Sequence, residues 1–189
     1  MARWKPDSRG RLLEAALDLY AERGFEQTTV AQIAKRAGLT ERTYFRHFPD
    51  KREILFGSAG ELQAALVGAV ADADDSLAPI DVVGSGLEAV PAVIPDRETA
   101  RRRQAIIAAN PELQERELTK FASLSAAVAD ALRHRGVKDP AAKLAGEAGM
   151  AAFRIAFDRW VEESNGNDLR ELIRESIDEL KVLAVDTAV

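Results

Sequence analysis

The sequence predicts an all-α protein of about nine helices. Three observations carry this: apolar residues recur at three- and four-residue spacing along most of the chain, Gly and Pro fall where each such run stops, and no strand-period alternation of useful length occurs. No internal repeat at a solenoid period is evident.

The first helix is expected from Asp7 to Arg23, where Leu12, Leu13, Ala16, Leu17 and Tyr20 share one face. Asp7 or Ser8 is placed to cap its start, and Gly24 to end it in the left-handed conformation. Thr29 and Gln32 have the spacing of a capping box, which opens a short helix from Val30 to Ala37 that Gly38 stops. Thr40 opens another, with Leu39 and Tyr44 as a hydrophobic staple and Glu41 at the positive end of the helix dipole. Pro49 closes it, because the residue before a proline is pushed out of helical geometry. Asp50 and Glu53 form a third capping pair, and a long helix is expected from Lys51 to about Asp72. Pro79, Pro91 and Pro95 with Gly84 and Gly86 then predict a broken helix, Ile80 to Ala89, between loops. Four further helices are expected at Asp96 to Ala109, Pro111 to Arg135, Pro140 to Glu163 and Asp168 to Val185.

Composition excludes several function classes. The chain has 189 residues, 47% of them hydrophobic, enough to bury a real core in one domain or two small ones. It has no cysteine, which removes disulfides and thiolate chemistry, and its two histidines, His47 and His134, lack metal-ligand spacing. His134 suits a complement to a helix dipole. No nucleophile–base pair, Gly-rich phosphate loop or cofactor motif is visible, so a helical enzyme is the disfavoured alternative and no cofactor is expected. The longest run of apolar and small residues, Ala64 to Ala71, is far short of the roughly 18 to 20 residues of a membrane span. The N-terminus lacks the apolar core of a signal peptide, so a cytoplasmic protein is expected, with no membrane partner.

The net charge of −5 hides an asymmetry. Residues 1–56 hold eleven Lys+Arg against eight Asp+Glu, a net +3, and the remainder hold 15 against 23, a net −8. A positive head on a negative body suits a head that meets a polyanion. Three helix starts between Thr29 and Glu53, two of them separated by a glycine turn, make a helix-turn-helix. Its second helix would enter the major groove of double-stranded DNA. Glu41, Arg42 and Thr43 lie where base edges are read, Arg46, His47 and Lys51 where phosphates run, and Thr29 could hold a phosphate at the start of the preceding helix.

The stretch "TTVAQIAKRAGLTERTYFRHFPDKREIL", Thr28 to Leu55, resembles the helix-turn-helix of the TetR family of bacterial transcriptional repressors, and "LLEAALDLYAERGFEQTTV" resembles that family's first helix. The resemblance implies a DNA-binding domain over 1–56 joined by a long helix to a helical ligand-binding and dimerisation domain over 57–189. It gives Thr29, Thr40, Thr43, His47 and Lys51 to the DNA backbone, and Gln32, Glu41 and Arg42 to the bases. The family usually has Tyr where this chain has Phe45, and Tyr44, one position earlier, either takes over a phosphate contact or is a packed staple residue. Trp4 with Arg3, Lys5 and Arg9 is either a minor-groove arm or a solvated terminus.

The same resemblance implies a homodimer. The helix from Pro140 carries a large-residue face, Met150, Phe153, Phe157 and Trp160, and a small-residue face, Ala141, Ala145, Ala148 and Ala152. The last helix carries Leu169, Leu172, Ile173, Ile177, Leu180 and Leu183. The small-residue face and the last helix are expected to pair with their copies in a four-helix interface; the alternative is that both stripes serve the monomer core. The stretch "RRRQAIIAANPELQERELTKFASLSAAVADALRHRG" resembles the C-terminal domain of regulators of mycofactocin gene clusters, which implies a small hydrophobic or acyl-CoA-like effector. Phe121, Leu124, Val128, Met150, Phe153, Phe157 and Trp160 are the candidate pocket, or else simply core. Arg101, Arg102 and Arg103 are either phosphate contacts or a solvated helix face. A DNA-binding regulator without any small-molecule ligand remains the alternative function.

Overall fold

The computed structural model describes residues 8–162 and 166–185. Among these the chain is helical, with no strand: α1 Ser8–Arg23, α2 Val30–Arg36, α3 Glu41–His47, α4 Ala59–Asp72, α5 Pro79–Leu87, α6 Arg97–Ala108, α7 Pro111–His134, α8 Ala141–Glu162 and α9 Leu169–Val185. Asp7, Trp4, Arg3 and Lys5 lie outside the described residues, so α1 begins at Ser8 without the Asp7 cap in view.

Two compact units form, Met1–Gly57 with Arg102–Glu117, and Ser58–Arg101 with Leu118–Val189. The first therefore takes in the end of α6, the start of α7 and the turn that joins them. Its core is built by Leu12, Leu17 and Tyr20 of α1, Phe25, Ile33 of α2, Tyr44 of α3, Phe48, and Ile54, Leu55 and Phe56, with Ile106 and Ile107 from the end of α6 and Leu113 from the start of α7.

Local signals set the ends of its helices. Gly24 takes φ +83° and its N–H returns to the Tyr20 carbonyl, which ends α1. At α2 both halves of the capping box form, the Gln32 N–H donating to Thr29 Oγ1 (3.3 Å) and the Thr29 N–H to Gln32 Oε1 (2.9 Å). Gly38, at φ +65°, then places its own N–H on Lys35 O and that of Leu39 on Ala34 O, closing α2 and turning the chain toward α3.

The expected helix from Lys51 to Asp72 is two elements. Asp50 does cap, accepting from the Arg52 and Glu53 N–H groups, but a single 3-10 turn, Glu53–Phe56, follows, and α4 starts only at Ala59. The carbonyl of Gly57 is taken by the Arg9 guanidinium. At Gly57 a Cβ would lie 2.8 Å from the Phe48 ring, so the chain passes there without a side chain. By length and composition alone the stretch Glu53–Asp72 could cross a membrane. Its apolar residues serve two cores instead, Ile54, Leu55 and Phe56 in the first unit and Leu66 and Val70 in the second.

In the second unit α5 runs unbroken through Gly84 and Gly86, where the sequence predicts breaks. Both are close-approach positions: a Cβ on Gly86 would sit 2.7 Å from Val70 Cγ2 of α4, and one on Gly84 3.3 Å from Ile177 Cγ2 of α9. On α8, a Cβ at Gly146 would sit 2.8 Å from Ser125 O of α7 and one at Gly149 2.2 Å from Val83 Cγ1 of α5. Helices this close share a core of small and branched residues, and α5 buries Val82, Val83 and Leu87 within it.

Candidate nucleic-acid interface

α3 is held from beneath. Tyr44 is fully buried, packs against Phe48 (5.5 Å between centroids) and donates its hydroxyl to the Asp50 carbonyl at 3.1 Å. Tyr20 donates to the next carbonyl, Lys51 O, at 2.9 Å. Two buried phenols thus fix consecutive peptides after α3, and burial, with Asp50 nearby, pushes both hydroxyls above their ordinary pKa, so they stay neutral donors. From α1 the Arg11 guanidinium donates to Ala37 O in the turn between α2 and α3. Ser8 Oγ shares a 2.8 Å hydrogen bond with His47 Nε2 at the other end of α3.

The outward surface of α3 carries Glu41, Arg42, Phe45 and Arg46, all exposed. Arg42 and Arg46 stand one turn apart, the Arg46 guanidinium 3.5 Å from His47 Nε2. Thr40 caps α3, accepting from the Thr43 N–H at 3.2 Å with the two hydroxyls 3.0 Å apart, so both threonines stand at the exposed start of the helix. Thr29 is exposed at the start of α2, and Gln32 is half-buried with its carbonyl oxygen spent on the capping box. Lys51 is half-buried, its ammonium donating to Phe25 O at 2.8 Å and lying 4.0 Å from the centre of the Phe25 ring.

Nine of the ten sequence-selected residues thus keep some surface around α2 and α3. The tenth, Tyr44, does not: with no exposed area and its hydroxyl spent on Asp50, it is a strut beneath α3 and offers no phosphate contact. Phe45, which is not among the ten, is 53% exposed with the Tyr44 ring edge-on at 5.6 Å. The period of a short helix signals this, since Phe45 lies one position round from the buried Tyr44 and in line with Arg42.

In the second unit the candidate pocket residues do come together, as a line of rings. Phe121 and Phe153 are 6.3 Å apart, Phe153 and Phe157 5.9 Å, and Phe157 and Trp160 5.7 Å. Leu124, Val128, Met150, Phe153 and Phe157 are buried in the core, with Phe121 and Trp160 half-buried against it. A cleft of about 230 Å³ lies elsewhere, between α5 and α9. It is lined by Ile177, Gly84 and the paired charges Glu88–Arg174 and Asp81–Lys181, both 2.5 Å, and by none of the seven.

Arg101, Arg102 and Arg103 are spent on structure. Arg101 donates to Val161 O (2.9 Å) and Glu98 (3.1 Å), Arg102 to Glu14 (3.0 Å) and Asp18 (2.5 Å) of α1, and Arg103 to Leu55 O (2.6 Å) and Glu117 (3.2 Å). His134 Nδ1 lies 2.8 Å from the Asp130 carbonyl at the end of α7.

The proposed interface stripe divides. Ala145, Ala152, Leu169, Leu172, Ile173 and Ile177 are covered by their own unit's core, which corrects their assignment to a second copy. Ala141 is exposed and Ala148 and Leu180 half-buried. Large apolar groups lie outside instead: Leu144 at 65% and Ile155 at 56% on α8, Val182 and Leu183 on α9. Leu144, Ala148, Ala151 and Ile155 follow one another at four-, three- and four-residue steps, a single stripe of mixed size that a search for small residues alone does not pick out.

Residues 12–57 match the family model for bacterial regulatory proteins of the tetR family, and residues 77–183 match the MftR C-terminal domain. Over 124 residues the chain is 30% identical to MftR, a Mycobacterium tuberculosis protein whose name assigns it to transcriptional regulation of mycofactocin biosynthesis, covering 65% of this chain and 62% of that one. Over 91 residues it is 31% identical to the HTH-type transcriptional regulator TcmR of Streptomyces glaucescens, covering 48% and 40%. The chain thus spans less than two thirds of the length of these relatives. Among solved structures, a TetR-family regulator from Syntrophomonas wolfei superposes with a TM-score of 0.65 at 18% identity, over 94% of this chain and 95% of that one. The FadR repressor of Thermus thermophilus in complex with lauroyl-CoA gives 0.53 at 24% identity, over 92% and 93%. At these identities the likeness is one of fold.

Proposed function

The chain belongs to the TetR family of bacterial regulatory proteins, and from that premise we propose that it is a cytoplasmic, sequence-specific DNA-binding transcriptional regulator, a homodimeric repressor of a pseudo-palindromic operator. The observation that carries this is the outward face of α3, Glu41, Arg42 and Arg46 exposed on a helix pinned from below by Tyr44, Phe48 and Arg11. Arg42, Glu41 and Gln32 read base edges in the major groove; Thr29, Thr40, Thr43, Arg46, His47 and Lys51 hold the backbone on either side. The Gln32 carbonyl oxygen is spent on its capping bond, which leaves only the Nε2 donors for a base edge, so its contribution is the smaller.

The second copy docks on α8 and α9 through Leu144, Ala148, Ala151, Ile155, Val182 and Leu183, with Ala141 and Leu180 at the margin. A two-fold axis there would present two α3 helices to half-sites about 34–36 Å apart, one turn of DNA. A small hydrophobic or acyl-CoA-like effector would enter along the ring line from Phe121 to Trp160 and lower DNA affinity by its preference for another arrangement. The lauroyl-CoA bound by the Thermus repressor of the same fold supports that class of ligand. The second reading, a regulator without effector, is favoured by the burial of that same ring line.

Selection from a randomised duplex pool at several salt concentrations tests the function. Wild type should enrich a palindrome, and Arg42→Ala should relax one symmetric position by about 1–3 kcal/mol. Weak, salt-driven binding with no enriched sequence would overturn the assignment.

A further inference from the structure

The outward face of α3 presents a large ring with no polar atom. α3 turns Tyr44 inward and leaves Phe45 53% exposed. Glu41 and Arg42, four and three residues earlier, are its neighbours on the helix surface, and both are exposed. The ring therefore shares the exposed face of α3 with Arg42. Phenylalanine neither donates nor accepts a conventional hydrogen bond, so it gains nothing from a phosphate oxygen. Its desolvation is rewarded only by apolar surface, and in the major groove the apolar group that distinguishes one base from the others is the C5-methyl of thymine.

We propose that Phe45 is a specificity-determining residue that packs against the 5-methyl group of a thymine in each half-site, beside the base read by Arg42. This rests on the DNA-reading function proposed above, and the experiment separates the two. In the duplex selected by wild type, each symmetric thymine pair is replaced in turn by uracil, which removes the methyl and leaves the hydrogen-bonding edge intact. At one pair, wild type should lose about 4-fold in affinity per half-site, the worth of one buried methyl-sized group. Phe45→Ala should bind the thymine and uracil duplexes equally, and Phe45→Leu should keep part of the difference. Because the ring is more than half exposed, the thermal melting of both variants should match wild type.

If wild type keeps its selectivity but no uracil position depends on residue 45, the thymine contact is wrong and the operator function stands. A uniform loss for Phe45→Ala on every duplex, with uracil neutral, places the ring on sugar and also overturns the contact. If wild type selects no sequence at all, the DNA-reading function fails and the contact fails with it.

Discussion

Tyr44→Phe removes one oxygen from beneath α3 and separates a strut from a DNA contact. The ring keeps its neighbours, Phe48 at 5.5 Å and Phe45 at 5.6 Å, so the apolar burial is unchanged. What is lost is a neutral 3.1 Å hydrogen bond to Asp50 O. Asp50 is half-buried and water can partly replace the phenol, so the cost is about 1 kcal/mol. In a 189-residue chain that unfolds cooperatively this lowers Tm by about 2–4 °C and shifts the urea midpoint without changing the slope. DNA affinity, measured at a temperature where both proteins are folded, should stay within about two-fold, because no atom of Tyr44 reaches the surface. An unchanged urea midpoint with a ten-fold loss of DNA affinity would refute the reasoning and turn the hydroxyl outward to a phosphate.

Three further outcomes follow from the second unit. Gly149→Ala gains about 1 kcal/mol of helix propensity but drives a methyl to 2.2 Å from Val83, so urea titration should show a net loss of about 1–2 kcal/mol; Val83→Ala in the same chain should remove the added loss. Leu144→Glu with Ile155→Glu should convert a dimer to monomer in sedimentation with helical circular dichroism intact, since both side chains are more than half exposed; a persisting dimer would place the interface elsewhere. Glu88→Gln breaks the pair with Arg174, whose hydrogen bond holds the Glu88 carboxyl below its ordinary pKa. A depressed carboxyl pKa contributes stability above the unfolded-state value and loses it as pH falls through the folded value. The variant should therefore be less stable near neutrality, by no more than about 0.5 kcal/mol for so exposed a pair, and should converge with wild type in acid.

What the sequence by itself determined is local. The capping box at Thr29 and Gln32, the left-handed Gly24 and Gly38, and the stop at Pro49 act within four or five residues, and their outcome is written in neighbouring side chains. So most helix starts and ends, the helix-turn-helix and the outward placement of Arg42 and Arg46 are legible in the order of residues alone, whereas the late start of α4 at Ala59 is not. Gly57, Gly84, Gly86 and Gly149 answer instead to side chains far along the chain, Phe48, Ile177, Val70 and Val83, and no local rule tells a glycine that breaks a helix from one that lets a second helix approach. The same distinction governs α8. Periodicity shows that it has two apolar faces, but only the packing against α5, α7 and α9 decides that Ala145, Gly146, Gly149 and Ala152 go inward and that Leu144 and Ile155 stay outside. Arg102 and Arg103 are ambiguous in the sequence for that reason too, because their partners Glu14, Asp18 and the Leu55 carbonyl lie dozens of residues away. Hydrogen-bonded ends are settled by the chain's nearest neighbours, whereas the choice of which face is buried belongs to the packing of whole helices against one another.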